Sequence, residues 1–193
     1  MQERSRAIAL IGRLVSERSE LRRQTKEALC GLQDLRQVDQ SRVVAVGFCF
    51  GGLVALEMAR ANQNVKAVVC CHGGLNSGGI ENTPISAKIL VCTGVDDPFV
   101  TQEQRYVFQE EMKARQADWQ MLVLSKTQHA FMNPAVGPAK QQGCAYQADS
   151  ARRSWQVIRL LFEEVTGNAS GRVFKPDESA NPVRQRTARK RRR

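Results

Sequence analysis

A cysteine flanked by glycines is the residue of this sequence best suited to act as a nucleophile. Cys49 stands in the segment GFCFGG, with Gly47 and Gly51 two positions away on either side. An apolar run precedes the segment and a helical pattern follows it, which is typical of a nucleophile elbow. We expect both glycines to be required, because side chains would collide where strand and helix backbones approach. The positive end of the following helix would lower the pKa of the thiol. The alternative is that Cys49 is a small buried residue.

Two histidines are available to activate such a thiol, His72 and His129. In hydrolases with a nucleophile elbow, the nucleophile comes first along the chain, the acid second and the histidine last, after the final strand. This order favours His129, in the segment SKTQHAFMNP. His72, in CHGGL, ends an earlier strand, and we interpret it as a pocket wall or a structural residue. The acid is expected in the loop GVDDPFV, where Asp96 and Asp97 are adjacent and only one can orient the imidazole.

Four apolar runs must position these residues. RVVAVGF, KAVVCC, AKILVCTG and WQMLVLS, which begin at residues 42, 66, 87 and 119, predict parallel strands buried on both faces. Helical patterns at 52–62, 101–117 and 147–165 alternate with them, and residues 3–36 predict an amphipathic helix that one break could divide. Strands that alternate with helices indicate parallel β-α units, so the predicted fold class is α/β.

Four motifs, GFCFGG, CHGGL, GVDDPFV and HAFMNP, occur in this order and together resemble the dienelactone hydrolase family of α/β-hydrolases over residues 38–165. The resemblance implies a three-layer α/β-hydrolase-like sandwich with a mostly parallel sheet. It also implies Cys49 as nucleophile, Asp97 as acid, His129 as base and the Phe50 backbone N–H as an oxyanion donor, with Asp96 a bystander. The implied reaction is hydrolysis of an ester or lactone through a thioester intermediate.

The sequence departs from the family pattern in two places. Only a helical pattern of about 40 residues precedes RVVAVGF, so we expect the N-terminal strands and the loop with the second oxyanion donor to be missing. The family's upstream carboxylate and arginine, which handle the thiol and an acidic substrate, are also missing. The fourth position after His129 is Asn133 rather than an arginine. Dienelactone is therefore not the expected substrate. A competing interpretation is a non-catalytic remnant or an interaction module.

We divide the chain into an N-terminal helical segment 1–40, a hydrolase-like domain 41–166 and a disordered basic tail 167–193. Without an earlier strand, the run at 43–46 would present an apolar edge with unpaired backbone groups. The N-terminal helix, a second copy of the chain or a separate partner must cover that edge. The sequence therefore predicts poor solubility or self-association through the edge, as a homo-oligomer.

Composition excludes several classes of protein. A hydrophobic content of 42% in 193 residues excludes a wholly disordered chain. No apolar run has the length of a membrane helix and no secretory segment is recognised, so we expect a cytoplasmic protein with reduced thiols and no membrane partner. The six cysteines form no CxxC pair and only two histidines occur, so we expect no metal and no cofactor.

The net charge of +10 is concentrated at the C-terminus. From Arg172 onward there are nine Lys or Arg and two Asp or Glu, a net of +7. A run of like charges is typical of a solvated terminus, and this one has a single aromatic residue, Phe174, that could stack on bases. We therefore do not expect nucleic-acid binding, and the expected partner is a small-molecule ester or lactone.

Overall fold

A computed structural model of the chain describes residues 2–79, 83–136 and 143–167. Its sheet has four parallel strands in chain order: β1 Val44–Phe48, β2 Ala67–Cys71, β3 Lys88–Gly94 and β4 Trp119–Leu124. Its α-helices are α1 Gln2–Ser16, α2 Arg18–Gln33, α3 Phe50–Arg60, α4 Gln102–Ala114 and α5 Ala148–Thr166. Two short 3₁₀ helices cover Gln40–Arg42 and Pro134–Val136. The expected tail beyond residue 167 lies outside the described residues.

The sheet is covered on both faces, which confirms the predicted three-layer α/β arrangement. On one face α3 and α4 pack through Leu56 and Phe108, and on the other α5 packs through Ala151 and Ile158. β2 is buried along its whole length, as its continuous apolar sequence predicts. β1 is only half-buried, because within the described part of the chain it lies at the edge of the sheet and pairs with β2 alone.

The N-terminal segment is a pair of helices divided at Glu17, whose ψ of 65° interrupts the helical backbone. α2 buries Leu21 and Leu29 and packs against α3. The segment 1–40 that we proposed from sequence pattern is thus in direct contact with the elements that follow it.

A group of charged side chains, here called the buried ion cluster, connects α2, α3 and α4. Glu57, which is fully buried, accepts hydrogen bonds from Arg22 at 2.9 Å and from Arg60 at 3.0 Å. Arg60 also donates to both carboxylate oxygens of Glu111, at 2.9 and 2.7 Å, and to the Leu75 carbonyl at 2.7 Å. Because these charges are paired inside the protein, their burial does not leave isolated ions in an apolar environment.

Candidate active site

The residues that could perform chemistry follow the carboxyl ends of neighbouring strands. Cys49 comes directly after β1, His72 directly after β2, Asp97 three residues after β3, and His129 in the segment that follows β4. Since the strands are parallel, all four residues lie at the same edge of the sheet, the one formed by the carboxyl ends of the strands. In open α/β sheets this is the edge at which ligands bind.

Cys49 occupies a turn with an unusual backbone conformation. Its φ is 53° and its ψ is −121°, and Phe50 immediately begins α3. The Cys49 N–H donates to the Cys71 carbonyl at 3.0 Å, and the Cys49 carbonyl accepts from the Gly52 N–H at 3.0 Å. A positive φ at a residue other than glycine costs about 1–3 kcal/mol, so these contacts must hold the turn in place. The turn leaves Cys49 exposed, unlike a buried structural cysteine.

The two glycines predicted to be necessary differ in their surroundings. A Cβ atom at Gly47 would lie 1.8 Å from the Gly51 carbonyl oxygen, so no side chain fits at position 47. The steric expectation for Gly51 was wrong, because a Cβ there would meet no atom within 4 Å. Gly47 approaches the backbone carbonyl of Gly51, whereas the side of Gly51 on which a Cβ would stand is open. Gly52 is the tighter position in the helix, where a Cβ would lie 2.9 Å from the Cys70 sulfur.

The structure brings together three of the side chains singled out from the sequence. His129 Nε2 lies 3.2 Å from Cys49 Sγ, and His129 Nδ1 lies 2.9 Å from Asp97 Oδ2. The other carboxylate oxygen of Asp97 accepts the Phe99 backbone N–H at 2.9 Å. Asp97 is buried, whereas Asp96 is exposed and does not take part in this arrangement.

The electrostatics of this arrangement favour a charged pair. The hydrogen bond with His129 lowers the pKa of Cys49 and outweighs burial, which acts in the opposite direction; the Phe50 backbone N–H lowers it further. Burial alone would lower the pKa of His129, but hydrogen bonds to Asp97 and Cys49 outweigh burial and raise it to about 9. The hydrogen bonds at this site therefore favour a thiolate beside an imidazolium, the reactive form of a cysteine nucleophile.

Backbone contacts fix the segment that carries His129. The His129 N–H donates to the Gly143 carbonyl at 3.0 Å, and its carbonyl accepts the Ala145 N–H at 3.0 Å. A Cβ at Gly94 would lie 2.0 Å from the Thr127 carbonyl oxygen, so the end of β3 approaches this segment closely. These contacts set the distance between the histidine and the acid loop.

His72 was interpreted as a pocket wall or a structural residue, and the structure places it in direct contact with the cysteine. Its Nδ1 accepts the Cys49 backbone N–H at 3.2 Å. Its ring packs edge-on against the ring of His129, with centroids 5.0 Å apart. The glycine that follows His72 also approaches the cysteine closely, since a Cβ at Gly73 would lie 2.9 Å from the Cys49 carbonyl oxygen.

Aromatic side chains stand around these residues. Phe99 is 58% exposed and packs edge-on against His129, with ring centroids 5.0 Å apart. Phe48 and Trp155 are 41% and 38% exposed, and their ring centroids are 6.1 Å apart. We call Phe48, Phe99 and Trp155 the aromatic rim. Such exposed apolar groups beside polar ones are typical of ligand sites.

Neither a metal-ligand cluster nor a membrane-spanning helix occurs within residues 2–79, 83–136 and 143–167. Within these ranges no three or more His, Cys, Asp or Glu side chains are grouped so that they could hold a metal ion. No described helix combines the length and apolar character needed to cross a bilayer.

Comparison with known sequences connects this geometry to a family. The sequence model of the dienelactone hydrolase family matches residues 1–166. The protein K02A2.1 of Caenorhabditis elegans, which is uncharacterized, is 32% identical over 157 residues, covering 78% of this chain and 98% of that protein. An Escherichia coli (strain K12) protein provisionally named a carboxymethylenebutenolidase is 28% identical over 141 residues, covering 68% of this chain and 49% of that protein. The chain thus spans nearly all of the first relative and about half of the second.

Solved structures are also similar to this chain in sequence and in fold. The structure named m3DLH is 33% identical with a TM-score of 0.80, over 86% of this chain and 69% of that one. A dienelactone hydrolase-like promiscuous phosphotriesterase from metagenomic libraries is 36% identical with a TM-score of 0.75, over 81% of this chain and 66% of that one. Both likenesses extend over most of the described residues.

Proposed function

This chain belongs to the dienelactone hydrolase family, and from that premise we propose that it hydrolyses carboxylic esters or lactones with Cys49 as the nucleophile. The supporting observation is the continuous contact from sulfur to ring to carboxylate, 3.2 Å from Cys49 to His129 and 2.9 Å from His129 to Asp97. Acyl transfer requires a nucleophile, a base and an orienting acid that are in contact with one another.

In the first half of the proposed reaction, the Cys49 thiolate attacks the carbonyl carbon of the substrate. The carbonyl oxygen becomes negatively charged, and the Phe50 backbone N–H at the start of α3 donates a hydrogen bond to it. The carbon–oxygen bond to the alcohol then breaks, and His129 gives its Nε2 proton to the departing oxygen. Cys49 is left as a thioester.

In the second half, water replaces the alcohol. His129 takes a proton from the water as the water oxygen attacks the thioester carbonyl. The carbon–sulfur bond breaks, the acid product leaves, and the thiolate and imidazolium are restored. Throughout, Asp97 accepts the Nδ1–H of His129 and so keeps Nε2 directed toward the sulfur.

The surroundings of the thiol favour an uncharged substrate. The aromatic rim offers apolar surface, which suits an aryl or alkyl group on either side of the ester. At the position where an arginine would face an acidic substrate, Asn133 instead accepts the Ala135 backbone N–H at 3.0 Å. We therefore propose esters and lactones without a carboxylate as the substrate class.

The test measures hydrolysis of p-nitrophenyl acetate by the full chain and by single variants. We expect Cys49→Ala and His129→Ala each to abolish turnover, and Asp97→Asn to lower kcat by about 10⁴-fold, the loss seen when an orienting carboxylate is replaced. Asp96→Asn is the matched control and should keep wild-type activity, because Asp96 is exposed and lies outside the contact. Mass spectrometry of a rapidly quenched reaction should find the acetyl group on Cys49.

Two results would overturn the proposal. Turnover that persists in both Cys49→Ala and His129→Ala would show that hydrolysis occurs elsewhere. No turnover by the folded wild-type chain with any uncharged aryl ester would favour the competing interpretation, a non-catalytic interaction module.

Phosphotriesters are a second candidate substrate class. The observation in favour is the 36% identity to the metagenomic structure whose name includes phosphotriesterase. The same thiolate would attack phosphorus and displace an aryloxide, with the Phe50 N–H facing the phosphoryl oxygen. Release of p-nitrophenol from paraoxon, lost in Cys49→Ala, is the expected result, and no release above the Cys49→Ala background excludes this class.

A further inference from the structure

His72 is the one histidine that the proposed reaction does not use, although it touches both partners of the thiol–imidazole pair. We propose that His72 is a positioning residue, which holds the Cys49 turn by accepting the Cys49 backbone N–H at its Nδ1. The inference rests on the proposed function, because it concerns the alignment of Cys49 and His129 for the reaction proposed above.

The Cys49 turn needs such a support. With φ at 53°, the backbone of Cys49 is held in a conformation that side-chain-bearing residues rarely adopt. Its N–H is shared between two acceptors at the carboxyl end of β2, the Cys71 carbonyl at 3.0 Å and His72 Nδ1 at 3.2 Å. A tilt of the Cys49 N–H would move the thiol relative to His129 Nε2.

His72 is itself placed with little freedom. Its backbone N–H donates to the Cys92 carbonyl at 2.8 Å, and its φ of 40° turns the ring back toward Cys49. The ring is 2% exposed and packs edge-on against Phe131, with centroids 5.4 Å apart. The acceptor nitrogen is therefore held in one direction.

The protonation state of His72 suits this role. Burial, reinforced by the positive charge of His129, lowers the pKa of His72 to about 4, so the ring is neutral at physiological pH. Because Nδ1 accepts a hydrogen bond, the ring proton must be on Nε2. Protonation of Nδ1 would convert the acceptor into a donor and place a second cation beside His129.

The other ring nitrogen argues against simple packing. His72 Nε2 is buried and finds no hydrogen-bond partner among the described residues. An unsatisfied buried N–H costs about 1–3 kcal/mol, a cost that leucine or phenylalanine at this position would avoid. A histidine is useful here because its Nδ1 can accept a hydrogen bond from Cys49.

The experiment compares two substitutions that separate the acceptor from the ring. His72→Asn keeps an acceptor oxygen close to the position of Nδ1, and asparagine tolerates a positive φ. His72→Phe keeps an aromatic ring against His129 and Phe131 but has no acceptor. Alkylation of the Cys49 peptide by iodoacetamide, followed by mass spectrometry over a range of pH, reports the thiolate without any need for turnover. Ester hydrolysis and thermal unfolding are measured on the same samples.

We expect His72→Phe to raise the alkylation midpoint of Cys49 by about one pH unit, because the thiol loses part of its alignment with His129. Its kcat should fall by about tenfold or more with KM nearly unchanged, as misalignment of reacting groups predicts. His72→Asn should stay within about threefold of the wild-type kcat and keep the wild-type midpoint, whatever its Tm, since its acceptor is retained.

Two outcomes would overturn the inference. If His72→Phe keeps the wild-type alkylation midpoint, His72 does not position the thiol. If His72→Asn is impaired as much as His72→Phe, an acceptor at this position does not preserve the alignment of the thiol, and the inference fails. His72→Leu replaces His72→Phe if the latter does not fold. A shifted midpoint in a chain without esterase activity would support this inference while contradicting the proposed function, so the two failures are distinguishable.

Discussion

The charge on His129 depends on neighbours at both of its ring nitrogens. Asp97 and Cys49 each raise the pKa of the ring, against the effect of burial, to about 9. A raised folded-state pKa contributes stability that is fully present below the unfolded value near 6.5 and is lost as pH rises through about 9. The imidazolium of His129, which stabilises the Cys49 thiolate, is thus lost as pH rises through about 9.

Removal of the thiol should therefore lower the pKa of His129. In Cys49→Ala the ring keeps Asp97 but loses the hydrogen bond and the negative charge of the thiolate, both of which raise its pKa. NMR titration of the His129 ring should show a midpoint of about 9 in the wild type and a lower one in the variant. Cys30→Ser, at an exposed cysteine of α2, is the control and should leave the midpoint unchanged. Equal midpoints in Cys49→Ala and the wild type would contradict the coupling.

Among the individual residues, some were predictable and others were not. Cys49, Asp97 and His129 belong to motifs whose order along the chain is informative, so their proximity could be expected. The contact between His72 Nδ1 and the Cys49 N–H joins a side chain to the backbone of a distant segment. No periodicity or spacing reveals such a contact. For Gly51, spacing identified a close approach but not which atom makes it.

The junction of β1 and α3 is the element on which the thiol depends. Gly47→Ala would place a methyl group 1.8 Å from the Gly51 carbonyl oxygen, so strand and helix would have to separate. We expect loss of ordered folding or a destabilisation of about 3 kcal/mol or more, the range of severe single-site effects. Denaturant unfolding monitored by circular dichroism is the measurement.

Gly51→Ala is the matched control for that prediction. A Cβ at position 51 meets open space, and alanine favours a helix over glycine by about 1 kcal/mol. The variant should be as stable as the wild type or more stable. A similar destabilisation by both substitutions would show that the junction is not limited by the approach at Gly47.

Strands and helices differed in how well the sequence predicted them. KAVVCC predicted β2 because a strand covered on both faces leaves a continuous apolar run. The buried ion cluster was not predicted. Glu57 and Arg60 are three residues apart on α3, a spacing that usually indicates a solvated helix face. Only the packing of α2 and α4 against that face buries them.

At the scale of the whole molecule, β1 and β4 are the edge strands of the described sheet, and β1 is the edge at which the sequence predicts association. Within the described residues β1 is hydrogen-bonded to β2 on one side only. Unpaired backbone groups on an edge strand favour pairing with another chain. We propose that two copies associate along this edge.

Size-exclusion chromatography with light scattering should give a mass above that of the 21.5 kDa chain at micromolar concentration. Val44→Lys adds a charge on the edge strand and should shift the mass toward the monomer. Leu160→Lys, at a position of α5 that is 58% exposed, is the control and should leave the mass unchanged. A sharp monomer peak for the wild type would contradict the proposal.

Three close approaches at the site are made by backbone at glycines. Gly47, Gly73 and Gly94 each stand where a Cβ would come within 3 Å of a carbonyl oxygen of a neighbouring segment. The side chains of the aromatic rim take no part in these backbone contacts, and the hydrogen bond from Phe99 to Asp97 is donated by its backbone N–H. Mutation can therefore exchange rim side chains while the backbone contacts that space the bond-making groups remain. In descendants of such a chain, substrate range can diversify far more quickly than reaction chemistry.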